Sequence, residues 1–200
     1  DEAVVDVATF SLEGRPMRNV RQMVKRIERA GYTTEVLRAG SVSEGERRRA
    51  LVDADAWRGT ETERGFSMAL GRLVDPVDPD CVFVVARQDG VMRAFLQFVP
   101  WGPDGMPLDL MRRDRTAEAG VNELLIVDAL RSCPQLGVNR VSLNFAAFRS
   151  TLERGERLGA GPSVRAWRTV LLFASRWFQI ESLYRFNAKF QPTWVPRFIV

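Results

Sequence analysis

Hydrophobic and polar positions follow two periods along this chain, and the changes from one period to the other mark out its elements. After Pro16, which suits a first helical turn, Met17, Val20, Met23, Val24 and Ile27 recur at helical spacing as far as Gly31, a fitting C-terminal cap. Residues 32–37 (YTTEVL) read as a short β-branched strand. A second helix, capped by Ser41 or Ser43, runs to about Trp57, and the proline-rich turn 75–80 (DPVDPD) then interrupts both periods. The nearly continuous apolar run 81–86 (CVFVVA) predicts a buried strand, Gln88-Asp89-Gly90 a hairpin turn, and 91–99 (VMRAFLQFV) the partner strand. A third strand covers 107–111 (PLDLM). Beyond it, a helix from about Glu118 to Ser132 turns Val121, Leu124, Leu125 and Ala129 inward. Residues 138–145 (VNRVSLNF) give another strand. Trp167, Val170, Leu171, Ala174 and Phe178 mark the next helix, followed by a short helix near Leu183 and a last strand from Trp194.

The predicted order is helix, strand, helix, three antiparallel strands, helix, strand, helix, strand. It predicts an α/β chain: one mixed, largely antiparallel sheet flanked by helices, matching the acyltransferase fold called GNAT. Residues 1–58 are expected to form a connecting segment with a basic amphipathic helix that begins the lobe. Residues 59–200 are expected to be the catalytic lobe, the two making one compact unit. Absence of an initiator Met, and an end at Val200 inside a predicted strand, read as an excised piece of a larger protein.

Composition narrows the chemistry. The chain has 200 residues, 46% of them hydrophobic, enough for one sizeable core. No apolar run approaches the ~18 residues that span a bilayer. Two cysteines, Cys81 and Cys133, are too few for a disulfide framework or a zinc site, and a reduced environment is the simple reading. Histidine is absent, which excludes Ser-His-Asp and Cys-His catalysis and most catalytic zinc sites within the chain. The formal charge of +4 is uneven: from Phe145 onward eight Arg and Lys189 face three Glu, a local +6, leaving −2 on the first 144 residues. A basic C-terminal third suits a polyanion, either nucleic acid or an anionic lipid surface, although a solvated Arg-rich surface carries the same charge.

Three segments carry candidate chemistry. Arg18, Arg21, Lys25 and Arg29 line the helix face opposite the apolar stripe, either as a plain solvated face or as a rail of phosphate contacts. Arg47, Arg48 and Arg49 form a second cluster. Asp109, Arg112 and Arg113 lie where a strand is expected to pass into the next helix, and a helix N-terminus with adjacent Arg side chains is a ready anion site. The stretch 112–120 (RRDRTAEAG) has one Gly, at its far end, unlike the Gly-rich pyrophosphate loops of coenzyme A users, so a different phosphate-bearing donor is expected. Lys189 is one of two lysines among 29 basic residues and stands between Phe186, Phe190 and Trp194. It offers either a compact ammonium close to a carbonyl oxygen or, if desolvated, a neutral amine.

Together, residues 10–32 (FSLEGRPMRNVRQMVKRIERAGY), 109–114 (DLMRRD) and 182–197 (SLYRFNAKFQPTWVPR) resemble the hallmark segments of bacterial phosphatidylglycerol lysyltransferase synthase domains, the multiple peptide resistance factor family. The likeness spans nearly the whole chain and is closest to the actinobacterial version fused to a lysyl-tRNA synthetase. The resemblance implies transfer of an aminoacyl group, lysyl by the family pattern, from aminoacyl-tRNA to phosphatidylglycerol at the cytoplasmic face of the membrane, with resistance to cationic peptides as its consequence. It implies a preceding acyltransferase-like lobe and membrane helices, no cofactor and no metal. By the same pattern Lys189 polarises the ester carbonyl, Asp109 binds the ammonium or orients the hydroxyl, and Arg112 holds phosphate. Arg113, Glu181, Tyr184 and Arg197 are substrate-binding candidates, and Arg18, Arg21, Lys25 and Arg29 contact tRNA or membrane. Two alternatives stay open: an acyltransferase of this fold with a non-lipid acceptor or an acyl-CoA donor, and a non-catalytic RNA- or membrane-binding module.

Overall fold

A computed structural model describes residues 1–58, 72–145 and 180–197. In chain order its elements are β1 (Glu2–Asp6), α1 (Arg18–Arg29), β2 (Tyr32–Arg38), α2 (Glu44–Arg58), β3 (Val82–Gln88), β4 (Val91–Phe98), β5 (Gly105–Arg113), α3 (Val121–Leu136), β6 (Arg140–Phe145), α4 (Ile180–Ala188) and β7 (Thr193–Val195). Seven strands form one sheet in the order β2-β3-β4-β5-β6-β1-β7. Every neighbouring pair is antiparallel except β5 and β6, whose parallel pairing uses α3 as the crossover. The mixed, largely antiparallel sheet flanked by helices is therefore the one the periodicity predicts. The helix expected around Trp167 to Phe178 lies outside the described residues.

β3 is apolar because it is buried on both sides, and its alternate residues feed two cores. Val82, Val84 and Ala86 join the cluster under α1 and α3, while Phe83 and Val85, with Cys81 just before the strand, join the one under α2. At the hairpin, Asp89 and Gly90 both take positive φ, 53° and 77°, as a two-residue turn matching strand twist requires. α1 has no side-chain cap at its N-terminus, a deficit of about 1 kcal/mol. Its buried Val20, Val24 and Ile27 outweigh that, at about 2 kcal/mol each.

Two features differ from the expected pattern. β1 is a strand that periodicity does not reveal, since Ala3, Val4 and Val5 are one short apolar run between acids; in the sheet it lies between β6 and β7. β5 runs on to Arg113, so Arg112 and Arg113 are strand residues rather than part of the turn into α3, which occupies 114–120.

Candidate active site

β5 and β6 pair at Gly105 to Pro107 with Arg140 to Ser142. Beyond that register the described pairing stops, and polar side chains take over. Asn144, at φ 78°, donates its Nδ2 to the Leu108 carbonyl across the gap at 3.1 Å. Asn187 of α4, fully buried, donates Nδ2 to the Leu143 carbonyl at 2.9 Å, while its Oδ1 has no hydrogen-bond partner among the described residues. The C-terminal ends of parallel strands, with a helix starting beside them, are where open α/β sheets place ligands.

The head of α3 is fixed there by three contacts. In the turn before it, Asp114 accepts from the Thr116 backbone N–H and hydroxyl, both at 2.8 Å, and pairs with Arg93 at 2.9 Å. The Thr116 N–H first, with Arg93 adding to it, holds the Asp114 carboxyl below the usual carboxylate range. Tyr32 Oη accepts from the Glu118 N–H at 3.2 Å. Gly120, at φ 110°, lets α1 come close: a Cβ there would stand 2.4 Å from the Met23 side chain.

Lys189 follows α4 in a turn, and its Nζ meets Glu123 Oε1 at 2.7 Å, 5.3 Å from the Phe186 ring centroid. Phe190 is buried in the core against Phe186, and Trp194 packs on Tyr184, so of the three aromatics expected around Lys189 only Phe186 meets the ammonium. A carboxylate, not an apolar pocket, is its main neighbour. Asp109 is the extra residue where the β4–β5 register shifts, a bulge of the kind that re-aims side chains. It is buried and accepts from Gln97 Nε2 at 3.0 Å; Gln97 is held in turn by the Val74 N–H and the Arg72 carbonyl. Because Gln97 is held by Val74 of the cluster under α2, Asp109 lies on the α2 side of the sheet, where its charge helps raise the pKa of Cys81, after burial and Asp78, to about 11. Lys189, at the head of α3, approaches from the other side.

The remaining candidates are dispersed. Arg112 is half-buried in β5 and donates to the Met111 carbonyl, while Arg113 donates to the carbonyls of Ala117 and Glu118 just before α3. Tyr184 stacks on Trp194 with ring centroids 5.3 Å apart. Glu181 lies in α4 with its side chain outside the described residues. Arg197 clasps Glu2 Oε2 through Nε and Nη2 at 2.7 and 2.6 Å and lies over the Trp101 ring. On α1, Arg18, Lys25 and Arg29 are exposed, but Arg21 turns to the carbonyls of Leu12 and Gly14 and braces the preceding loop. In the second cluster Arg47, Arg48 and Arg49 pair with Glu44 and Asp53 along α2. Sequence reasoning missed Glu123, Asn187 and Glu2. Glu123 reads as an ordinary first-turn acid, and nothing local announces that its partner is Lys189.

Both cysteines are buried, and burial raises the pKa of Cys133 to about 12. Neither offers a thiolate at neutral pH. Chemistry among the described residues therefore falls to Lys, Arg, Asp, Glu, Tyr or amide groups.

The profile of the family described as phosphatidylglycerol lysyltransferase, C-terminal, matches residues 1–200. The chain belongs to that family. It is 53% identical over its whole length to the lysylphosphatidylglycerol biosynthesis bifunctional protein LysX of Rhodococcus opacus, of which it covers 18%. It thus spans under a fifth of that curated relative. Among solved structures, L-PGS from Bacillus licheniformis superposes with a TM-score of 0.72 over 96% of this chain and 56% of that one, at 24% identity, a likeness of fold. A C-terminal domain (DUF2156) from Agrobacterium fabrum gives 0.64 over 98% and 58%, at 25% identity. Among the described residues no helix is long and apolar enough to cross a membrane.

Proposed function

We propose that this chain is the C-terminal catalytic lobe of an enzyme that transfers an aminoacyl group, lysyl, from aminoacyl-tRNA to phosphatidylglycerol. The observation that carries the reading is the Lys189 ammonium, 2.7 Å from Glu123 at the head of α3, in a chain of the phosphatidylglycerol lysyltransferase C-terminal family. Aminoacyl-tRNA is already an activated ester, so positioning and charge stabilisation supply the catalysis without a cofactor. A hydroxyl oxygen of the lipid headgroup attacks the ester carbonyl carbon. The bond from that carbon to the ribose oxygen breaks, and the hydroxyl proton passes to the ribose oxygen. Lys189 donates to the carbonyl oxygen as it gains negative charge.

Arg112 holds phosphate, and Asp109, reaching the substrate from the α2 side of the sheet while Lys189 reaches it from the other, binds the amino acid's ammonium or orients the attacking hydroxyl. Arg113, Glu181 and Tyr184 complete the substrate contacts, Arg197 being taken up by its pair with Glu2, and Arg18, Lys25 and Arg29, with Arg21 beside them, face tRNA or the anionic membrane. Residues 1–58 begin the lobe and make one compact unit with 59–200, because β1 and β2 are strands of its sheet. The reaction runs at the cytoplasmic face of the membrane, with a preceding lobe, membrane helices and a fused lysyl-tRNA synthetase in the same polypeptide. Its product makes the surface less anionic and resists cationic peptides. The curated relative's name and its much greater length support this wider setting.

The test is incubation of the complete natural polypeptide containing residues 1–200 with lysyl-tRNA and phosphatidylglycerol vesicles, followed by lipid analysis. Lysyl-phosphatidylglycerol is the expected product. Tight coenzyme A binding without lipid product would point to an acyl-CoA enzyme. Binding of tRNA or vesicles without transfer would leave a non-catalytic module.

A further inference from the structure

We infer that Glu123 is a positioning residue for the transfer reaction, acting through Lys189; this rests on the reading of Lys189 given above. α3 begins at Val121 behind Gly120, so Glu123 is the third residue of its first turn. A negative charge there is favoured by the helix dipole, yet such a carboxylate ordinarily faces water or reaches back to cap its own helix. Glu123 does neither. It is 6% exposed, and its one described hydrogen bond comes from Lys189 Nζ, contributed by a turn 66 positions later in the chain. A buried carboxylate is tolerated only where a partner offsets its desolvation, and the fixed head of α3 makes its location well defined. Met23 packs against Gly120, Tyr32 receives the Glu118 N–H, and Arg113 holds the carbonyls of Ala117 and Glu118.

The consequence falls on Lys189. A lysine in a turn with a 42% exposed side chain would otherwise sample many rotamers, since four torsions separate its nitrogen from the backbone. The carboxylate at one end and the Phe186 ring 5.3 Å away hold the nitrogen in one place. An ammonium has three donors. Glu123 takes one, and among the described residues the other two have no protein acceptor, in a side chain open enough for a substrate oxygen to reach. Held 2.7 Å from a carboxylate, Lys189 turns its remaining N–H donors toward the open side, where a substrate oxygen can accept from them. Glu123 itself takes no proton and touches no reacting atom. The proton released by the attacking hydroxyl still leaves on the ribose oxygen.

Three measurements on the complete natural polypeptide test this. First, Glu123→Gln is expected to lower kcat about 10-fold and Glu123→Ala up to the roughly 10²–10³-fold of a lost oxyanion donor, with KM for aminoacyl-tRNA little changed and Glu123→Asp recovering part of the loss. Second, the double variant Glu123→Ala/Lys189→Ala is expected to be no slower than Lys189→Ala alone, because both changes remove the same interaction. Third, trace labelling with an amine-acylating reagent, read by peptide mass, is expected to rise severalfold at Lys189 in Glu123→Gln while the exposed Lys25 labels as before. A slow Lys189→Ala enzyme beside fully active Glu123 variants overturns this inference and leaves the role of Lys189 standing. Multiplicative losses in the double variant overturn it too, as would a loss of melting temperature in step with activity. A fully active Lys189→Ala enzyme overturns both readings. Should no lipid be aminoacylated at all, the labelling ratio still decides, and an unchanged ratio sinks the positioning role.

Discussion

The segment 184–197 delivers two cations to two buried glutamates, and the two pairs differ in what is left over. Lys189 and Glu123 are 42% and 8% exposed in their side chains; Arg197 and Glu2 are 43% and 7%. By exposure they are twins. By hydrogen bonding they are opposites. Glu2 Oε2 accepts from Arg197 Nε and lies 2.6 Å from its Nη2, and the other oxygen accepts from the Ser142 hydroxyl, 2.5 Å away. The guanidinium also lies over Trp101, a ring it shares with Arg140, which is held by Asp104 at 2.7 Å. Contact with Arg140 holds the Asp104 carboxyl below its ordinary range. That end is a closed clasp joining the chain after β7 to β1 and β6. The Lys189 pair has one hydrogen bond, and its ammonium keeps two donors that no described residue accepts. A planar fork saturates a carboxylate, whereas an ammonium pinned by one contact keeps capacity for a ligand.

The largest expected effect separates the pairs by function. Lys189→Ala should lower aminoacyl transfer by about 10²–10³, some 3–4 kcal/mol of transition-state stabilisation, with a much smaller change in substrate binding. Lys189→Arg should not restore full activity, because the fork cannot occupy a point-charge position. Transfer assays and thermal melts on the same preparations check this, and a stable, fully active Lys189→Ala enzyme removes the residue from the mechanism.

Arg197→Ala should show the reverse. Breaking a buried pair costs about 3–5 kcal/mol and an exposed one up to about 1. Half-exposure of Arg197 puts the expected loss between them, about 1–3 kcal/mol by denaturant unfolding, with Arg197→Lys recovering part. If Arg197 binds substrate instead, KM rises while stability holds, and the contrast between the two ends disappears.

A smaller effect concerns the exposed face of α1. Neutralising Arg18 and Lys25 should weaken tRNA or anionic-vesicle binding and flatten its salt dependence by about one unit of slope per lost phosphate contact. Arg21→Gln should instead register as lost stability, because that side chain braces the loop before α1. An unchanged slope returns the face to plain solvation.

The smallest effect is at the turn leading into α3. Asp114 has a folded pKa below its unfolded value, so its contribution is fully present above the ordinary carboxylate pKa and is lost as pH falls through the lowered folded value. Asp114→Asn should therefore cost about 0.5–1 kcal/mol at neutral pH, and the gap to the parent should close in acid, below about pH 4. Unfolding free energies at several pH values check the sign; a gap that persists in acid would show that geometry, not charge, is what the turn loses.

The chain's own pattern determined the element types, nearly all of their order, the turn at Asp89-Gly90 and the family. It also singled out Lys189 as an unusual cation. These were legible because helical and strand periods are local, and a residue's side of an element follows from its spacing to near neighbours. Tertiary structure alone decided the rest. β1 is too short for periodicity and is a strand because β6 and β7 flank it. The bulge that buries Asp109 arises from the register between β4 and β5, which neither strand encodes alone. Glu123 and Glu2 look like ordinary acids until chain segments 66 and 195 positions away bring Lys189 and Arg197 to them. Spacing tells which face of an element is covered but not what covers it. Partner identity is settled only when the sheet closes, so the difference between a clasp and a poised ammonium could not be read from the residues that make them.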